Sequence, residues 1–402
     1  MNADKPKKSK GVFKKYMLKI HLWLGLLSGI IVLIVSLSGA VFVFNEDISA
    51  YFNKEQIFHG ETDIANKKPI PIKELKDMVN AQLVNEEVPA ESVTIPIDPN
   101  RSYQFGLDKV NRNGWNYFDT YLVFKSVYVN QYTGEVIAIQ DLRKSPFFFT
   151  MILHRSLLLS SSVGGTIVGV STIIFVIMLV TGIILWWPKN KNMRKQRFWF
   201  RWKKVKGWRR KNYDVHNILG FYASFLALIV AITGIMYSFR ITMTWVYFLI
   251  NGFSSHSPDF SHFKTVAPES METETTIDRI AEKVREYYPN AFSFGLDLED
   301  HEEADHHHDN MSIWIKDREF TYSEGNLMIF DEHSGEVLFN RPHEERLLAD
   351  RATSATYDLH VGAFFGMTGK ILAFIMSLFC ASLPITGFII YWGRRNKKKT
   401  IT

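Results

Sequence analysis

Residues 20–39 read IHLWLGLLSGIIVLIVSLSG, and residues 215–234 read VHNILGFYASFLALIVAITG. A constant offset of 195 pairs His21 with His216, Gly25 with Gly220, Gly29 with Ser224, Ser38 with Thr233 and Gly39 with Gly234. Two later stretches also resemble each other. One ends LVTGIILWW at Trp187, the other LPITGFIIYW at Trp392. An offset of 205 pairs Thr181 with Thr386, Gly182 with Gly387 and Trp187 with Trp392. Each is preceded by a Leu-His dipeptide, Leu153-His154 and Leu359-His360.

These four stretches, 20–44, 167–187, 215–239 and 371–392, are apolar and free of acidic residues. A helix needs about 20 residues to cross a hydrocarbon core of about 30 Å, so each is long enough to span a bilayer. Trp23, Trp186, Trp187, Tyr391 and Trp392 sit at their ends, the positions of an interfacial aromatic belt. The first stretch is too long for a signal peptide and no small-x-small cleavage site closes it, so it is read as retained.

Charge sets the sidedness. The segments 1–19, 188–214 and 393–402 hold 24 of the 47 Lys and Arg residues but only Asp4 and Asp214 of the 41 acids, a net of +22. The rest of the chain therefore carries −16, although the whole is only +6. Basic loops stay inside, so these three segments are expected in the cytoplasm and 45–153 and 240–359 outside. Residues 199–210 mix Trp, Phe, Lys and Arg, but between two spans they read as a loop lying on anionic headgroups, not as a nucleic-acid site.

The outer segments repeat too. Residues 127–137 (VYVNQYTGEVI) resemble 327–337 (LMIFDEHSGEV), each a strand, a Gly-closed turn and a second strand. Amphipathic helices are expected over 72–83, with Ile72, Leu75, Val79 and Leu83 on one face, and over 277–288, with Ile277, Ile280, Ala281 and Val284. The expected fold is thus an α-helical integral membrane protein, a four-span bundle from an internal duplication with two extracytoplasmic α+β domains. In order, the segments are 1–19, span 20–44, outer domain 45–153, lead-in and span 154–187, loop 188–214, span 215–239, outer domain 240–359, lead-in and span 360–392, and tail 393–402.

Chemistry enters with histidine. The single cysteine, Cys380, excludes a disulfide scaffold, thiol-ligated clusters and covalent haem attachment through CxxCH. Of 13 histidines, His21 and His216 take matched positions at the cytoplasmic ends of spans, and His154 and His360 at the outer ends. Ionisable groups at membrane depth point to function, and neutral imidazole is a good axial ligand for haem iron. His21 with His216, and His154 with His360, would each ligate one haem, with cross-pairings open because His154 lies more than ten residues ahead of its span. Gly25, Gly29, Gly220 and Ser224 leave room on the same helix faces for a flat macrocycle or a close helix contact. Arg155, Arg240, Lys370 and Lys19 could pair with haem propionates or an anionic substrate, but read first as snorkelling anchors. His306, His307 and His308, beside Asp305 and Asp309, read as a solvated run before a metal site. No Walker A loop, dinucleotide fingerprint, HExxH or nucleophile elbow is present.

These features together resemble the PepSY-associated transmembrane-helix family, the iron-regulated inner-membrane proteins that include ferric-siderophore reductases. The resemblance rests on His-x-x-x-Gly opening spans one and three, Leu-His before spans two and four, the Thr-Gly ends, and the strand-turn-Gly-Glu-Val of each outer segment. It implies two PepSY-like outer domains and b-type haem, two groups held bis-His by His21, His154, His216 and His360. It further implies electron transfer from a cytoplasmic or quinol donor to a periplasmic ferric siderophore, so an oxidoreductase of the bacterial inner membrane. The alternative is a non-catalytic PepSY membrane protein that binds or regulates an extracytoplasmic enzyme. A transporter is disfavoured because the spans lack mid-membrane acids and Pro384 is the only proline within one.

Overall fold

The computed structural model describes residues 9–84, 86–188, 190–200, 205, 207–253, 273–298 and 310–399. His256, His262, His301 and the His306–His308 run lie outside the described residues. The chain forms two compact units, one of residues 1–43, 150–243 and 359–402, the other of 44–149 and 244–358.

The first unit is helical. Four helices are long and apolar enough to cross a membrane: Ser9–Phe42, Ser161–Trp186, Trp208–Ser238 and Gly366–Lys399. They outrun the apolar stretches because the flanking residues, several of them Lys and Arg, have good helix propensity and continue the same backbone ladder. The first packs on the second and fourth, and the third packs on the same two. Small residues line these contacts. Ala223, Ala227 and Ala231 of the third helix are buried, and a Cβ on Gly29 would stand 3.4 Å from Pro384. In hydrocarbon, where apolar burial gives no gain, close backbone approach is what holds helices together.

Two shorter helices precede the second and fourth spans, Pro146–Ser156 and Leu348–Val361. The first ends at Leu157 and Leu158, both left-handed with φ of 56° and 63°. Ser160 then caps the second span by accepting from the Val163 amide. The other ends at Gly362, φ 81°. Both corners fold tightly: a Cβ on Gly164 would collide with the Ser156 carbonyl, and one on Gly369 with the Gly362 carbonyl. His154 therefore sits on a helix of its own.

The second unit is an antiparallel sheet. Its strands are β1 Ser92–Pro96, β2 Tyr103–Val110, β3 Tyr121–Val129, β4 Val136–Asp141, β5 Ser293–Asp297, β6 Asn310–Lys316, β7 Gly325–Asp331 and β8 Val337–Arg341. Both expected hairpins form. Gly134 (φ 74°) and Gly335 (φ 66°) donate back to the Asn130 and Asp331 carbonyls at 2.8 and 2.9 Å. A left-handed residue there suits glycine, which carries no Cβ.

The strands of the two outer segments do not form two separate sheets. The order is β4-β3-β2-β1-β5-β6-β7-β8, one eight-stranded sheet closed at its centre by β1 against β5, with Val93 opposite Leu296. Pairing the two inner edges satisfies the rows of amide and carbonyl groups that separate sheets would leave bare. The amphipathic helices are present as Ile72–Gln82 and Thr273–Tyr287. Leu75, Val79, Ile280 and Val284 share one core with Phe105, Phe294 and Phe330. Hydrogen bonds cross the halves as well: the Ile72 amide donates to Asp278 at 2.9 Å and Arg101 to Glu319 at 2.8 Å.

Candidate functional site

Within the helical unit the four matched histidines meet in two pairs. The His21 and His216 ring centroids are 6.5 Å apart, with the planes at 86°. The His154 and His360 centroids are 5.9 Å apart, with the planes at 69°. An imidazole nitrogen ligates a metal at about 2 Å, so rings with centroids about 6 Å apart would be near enough to share one ion.

Each imidazole is tethered through Nδ1. His21 meets the Thr181 hydroxyl at 2.9 Å, and His216 meets Thr386 at 2.9 Å. Both hydroxyls spend their single proton on their own helix, Thr181 on Ile177 O at 2.9 Å and Thr386 on Ser382 O at 2.9 Å. The oxygen is therefore the acceptor and Nδ1 the donor. His154 Nδ1 donates to Val35 O at 2.8 Å. His360 Nδ1 lies 3.0 Å from Val230 O and 2.9 Å from Thr233 Oγ1, whose proton also goes to its own helix. All four rings thus carry the proton on Nδ1 and keep the Nε2 lone pair for another partner. This is the tautomer of a metal-ligating histidine whose other nitrogen is held by a carbonyl or hydroxyl.

Glycine supplies the seat. A Cβ on Gly182 would stand 3.3 Å from His21 Cε1, and one on Gly387 3.3 Å from His216 Cε1. On Gly234 it would stand 3.2 Å from His360 Cε1, and on Gly39 2.9 Å from His154 Cε1. Each ring thus lies edge-on against the backbone of a neighbouring helix. Among the described residues no group of three or more His, Cys, Asp or Glu converges to hold a metal ion. The donor set at each level is therefore two neutral nitrogens, which suits an ion that brings further ligands of its own.

A family model described as the PepSY-associated TM region matches residues 18–394. The chain belongs to this family. No curated protein matches it. The family match covers all four spans, all four paired histidines and both halves of the sheet.

For this PepSY-associated protein the pairs foreseen from matched positions, His21 with His216 and His154 with His360, are those the fold brings together, and the cross-pairings are not formed. The seating glycines were not foreseen. Gly25 and Gly220, one turn from His21 and His216, face Met178 and Leu383 of other helices at 3.1 and 3.5 Å, not a histidine. The seats are the glycines of the Thr-Gly and Ser-Gly dipeptides. Their signal was in the sequence, since each span carries one. Lys370 also departs from expectation: at 4% exposed it is buried, not a snorkelling anchor.

Proposed function

We propose that the chain is a transmembrane electron carrier that binds two haem b groups, one between His21 and His216 and one between His154 and His360. The observation that carries this reading is the pair of bare-Nε2 histidine couples at 6.5 and 5.9 Å. Two imidazoles are too few donors for a bare ion, whereas haem would bring the remaining donors itself and His21, His216, His154 and His360 would hold its iron. When bound, haem supplies a one-electron redox centre inside an insulating bundle. The protein's residues do the rest. Thr181, Thr386, Val35 and Val230 fix the tautomer and the ring orientation, the four glycines let the rings lie flush on neighbouring helices, and the apolar spans exclude water.

The repeat-matched histidines and the mirrored strand order of the sheet support an origin by internal duplication with two PepSY-like halves. The charge split supports cytoplasmic termini and a periplasmic sheet unit in an inner membrane. Electrons would enter from a cytoplasmic or quinol donor and leave to a ferric siderophore. Fe(III) held by hard oxygen donors would accept one electron, and the softer Fe(II) would be released from the chelate. The test is the visible absorption of the purified full chain expressed with ample haem. Reduced bis-His haem gives sharp bands, and proteoliposomes loaded with reductant would turn external ferric chelates into Fe(II) caught by a ferrous indicator. A colourless protein sinks the reading and leaves the membrane-anchored binding role.

A further inference from the structure

Each odd-numbered span is followed at once by a short helix with one apolar face open to solvent. The first span ends at Phe42, and the helix Asn45–Phe52 begins three residues later. The third ends at Ser238, and the helix Arg240–Ile250 begins two residues later. In the first, Ile48, Tyr51 and Phe52 share a face at i, i+3 and i+4 and are 37, 78 and 76% exposed. In the second, Ile241, Trp245 and Leu249 recur every four residues and are 63, 58 and 58% exposed. The opposite faces are engaged. Glu46 accepts from the Tyr322 hydroxyl at 2.8 Å, and Tyr247 hydrogen-bonds with Asp350.

We propose that both are interfacial helices, lying along the lipid surface with their apolar stripes sunk at the headgroup–acyl boundary. Three observations converge on lipid as the occupant. Each apolar span ends immediately before its helix, so chain continuity places the exposed stripes at the end of a membrane span. At 8 and 11 residues the helices are too short to cross, which is the length range of interfacial segments. The exposed side chains are Trp, Tyr, Phe, Leu and Ile, the set that favours the interface. The polar bonds on the far faces hold each helix by its opposite side and leave the apolar stripe outward. This proposal is independent of haem.

The test uses the full chain in phospholipid nanodiscs, with Cys380→Ala as background and a nitroxide placed singly at Tyr51→Cys, Phe52→Cys, Trp245→Cys, Leu249→Cys and, as a water-exposed reference, Thr133→Cys. The expected result is a ratio of oxygen to nickel-chelate accessibility several-fold higher at the first four sites than at position 133. Ratios equal to that of position 133 would overturn the proposal. Spin–spin broadening at 245 or 51 that vanishes on dilution with unlabelled protein would also overturn it, by assigning the faces to a second copy. Trp245→Phe keeps an aromatic ring and the fold. It should remove a component of tryptophan fluorescence quenched by brominated lipid, and unchanged quenching counts against the idea.

Discussion

At the His21–His216 level both rings hang on a threonine hydroxyl. At the His154–His360 level both reach a main-chain carbonyl, Val35 O or Val230 O, and only His360 also has a threonine, Thr233. The residue matched to Thr233 is Ser38, whose hydroxyl donates to Ile34 O and Val35 O of its own helix at 2.8 and 3.2 Å and leaves His154 alone. Backbone also reaches the inner rings, His21 from Met178 and His216 from Leu383, so the levels differ in that both inner rings hold a threonine hydroxyl besides, whereas His154 does not. The same contrast appears in the seats. The inner glycines would hold a Cβ 3.3 Å from each ring, whereas Gly39 would press it to 2.9 Å. At Gly39 the outer level has less slack in its packing, and at His154 it has one fewer tether.

The largest effect breaks one level at a time. His21→Ala or His216→Ala should remove one haem equivalent and leave the other, and His154→Ala or His360→Ala should do the reverse, measured as haem per chain after extraction. Loss of both equivalents from any single variant would show that the levels are not independent. Next comes the seat. Gly39→Ala should weaken haem retention at the outer level by on the order of 10–100-fold, while Gly387→Ala weakens the inner level several-fold less, read by haem transfer to a competing apoprotein. Equal losses would erase the difference in slack. Smaller again is the tether. Thr181→Val and Thr386→Val should each lower inner-level affinity by about 10-fold and shift its redox potential, seen in a spectroelectrochemical titration. Thr233→Val should have an effect of similar size at the outer level, since a backbone partner remains in both cases, Val230 on His360 and Leu383 on His216. Ser38→Ala should do least, leaving the outer-level potential where it is. An effect of Ser38→Ala as large as that of Thr386→Val would refute the distinction between rings with and without a hydroxyl partner.

Much of this protein was legible in one dimension because the signals are local or repeated. An apolar run of more than 20 residues has few fates. Four histidines at matched offsets identify one another without a structure. The hairpins at Gly134 and Gly335 follow from strand-turn-strand patterning over a dozen residues. The seats were less legible. A glycine one turn from His21 seemed suited to lie beside it, yet Gly25 faces Met178 while Gly182, from another helix, touches the ring. Helical periodicity says which residues share a face, and the crossing of two helices decides what that face meets. Lys370 illustrates the same limit, since its burial depends on neighbours that its own sequence context does not name.

The sheet shows the division most plainly. Each half's hairpin and amphipathic helix are dictated by local alternation of apolar and polar residues, and these the amino-acid sequence determined by itself. That β1 of one half should pair with β5 of the other, placing Ser92 opposite Asp297, was decided only by the tertiary structure. Strand edges are generic hydrogen-bonding surfaces with no local signature of their partner. Joining them across two distant segments depends on both edges being bare at once and on a shared core of Leu75, Val79, Ile280 and Val284 to hold them there. The histidine pairs follow the same rule. The sequence marked the four residues and their matched positions, and the crossing of four helices brought each pair of rings to about 6 Å.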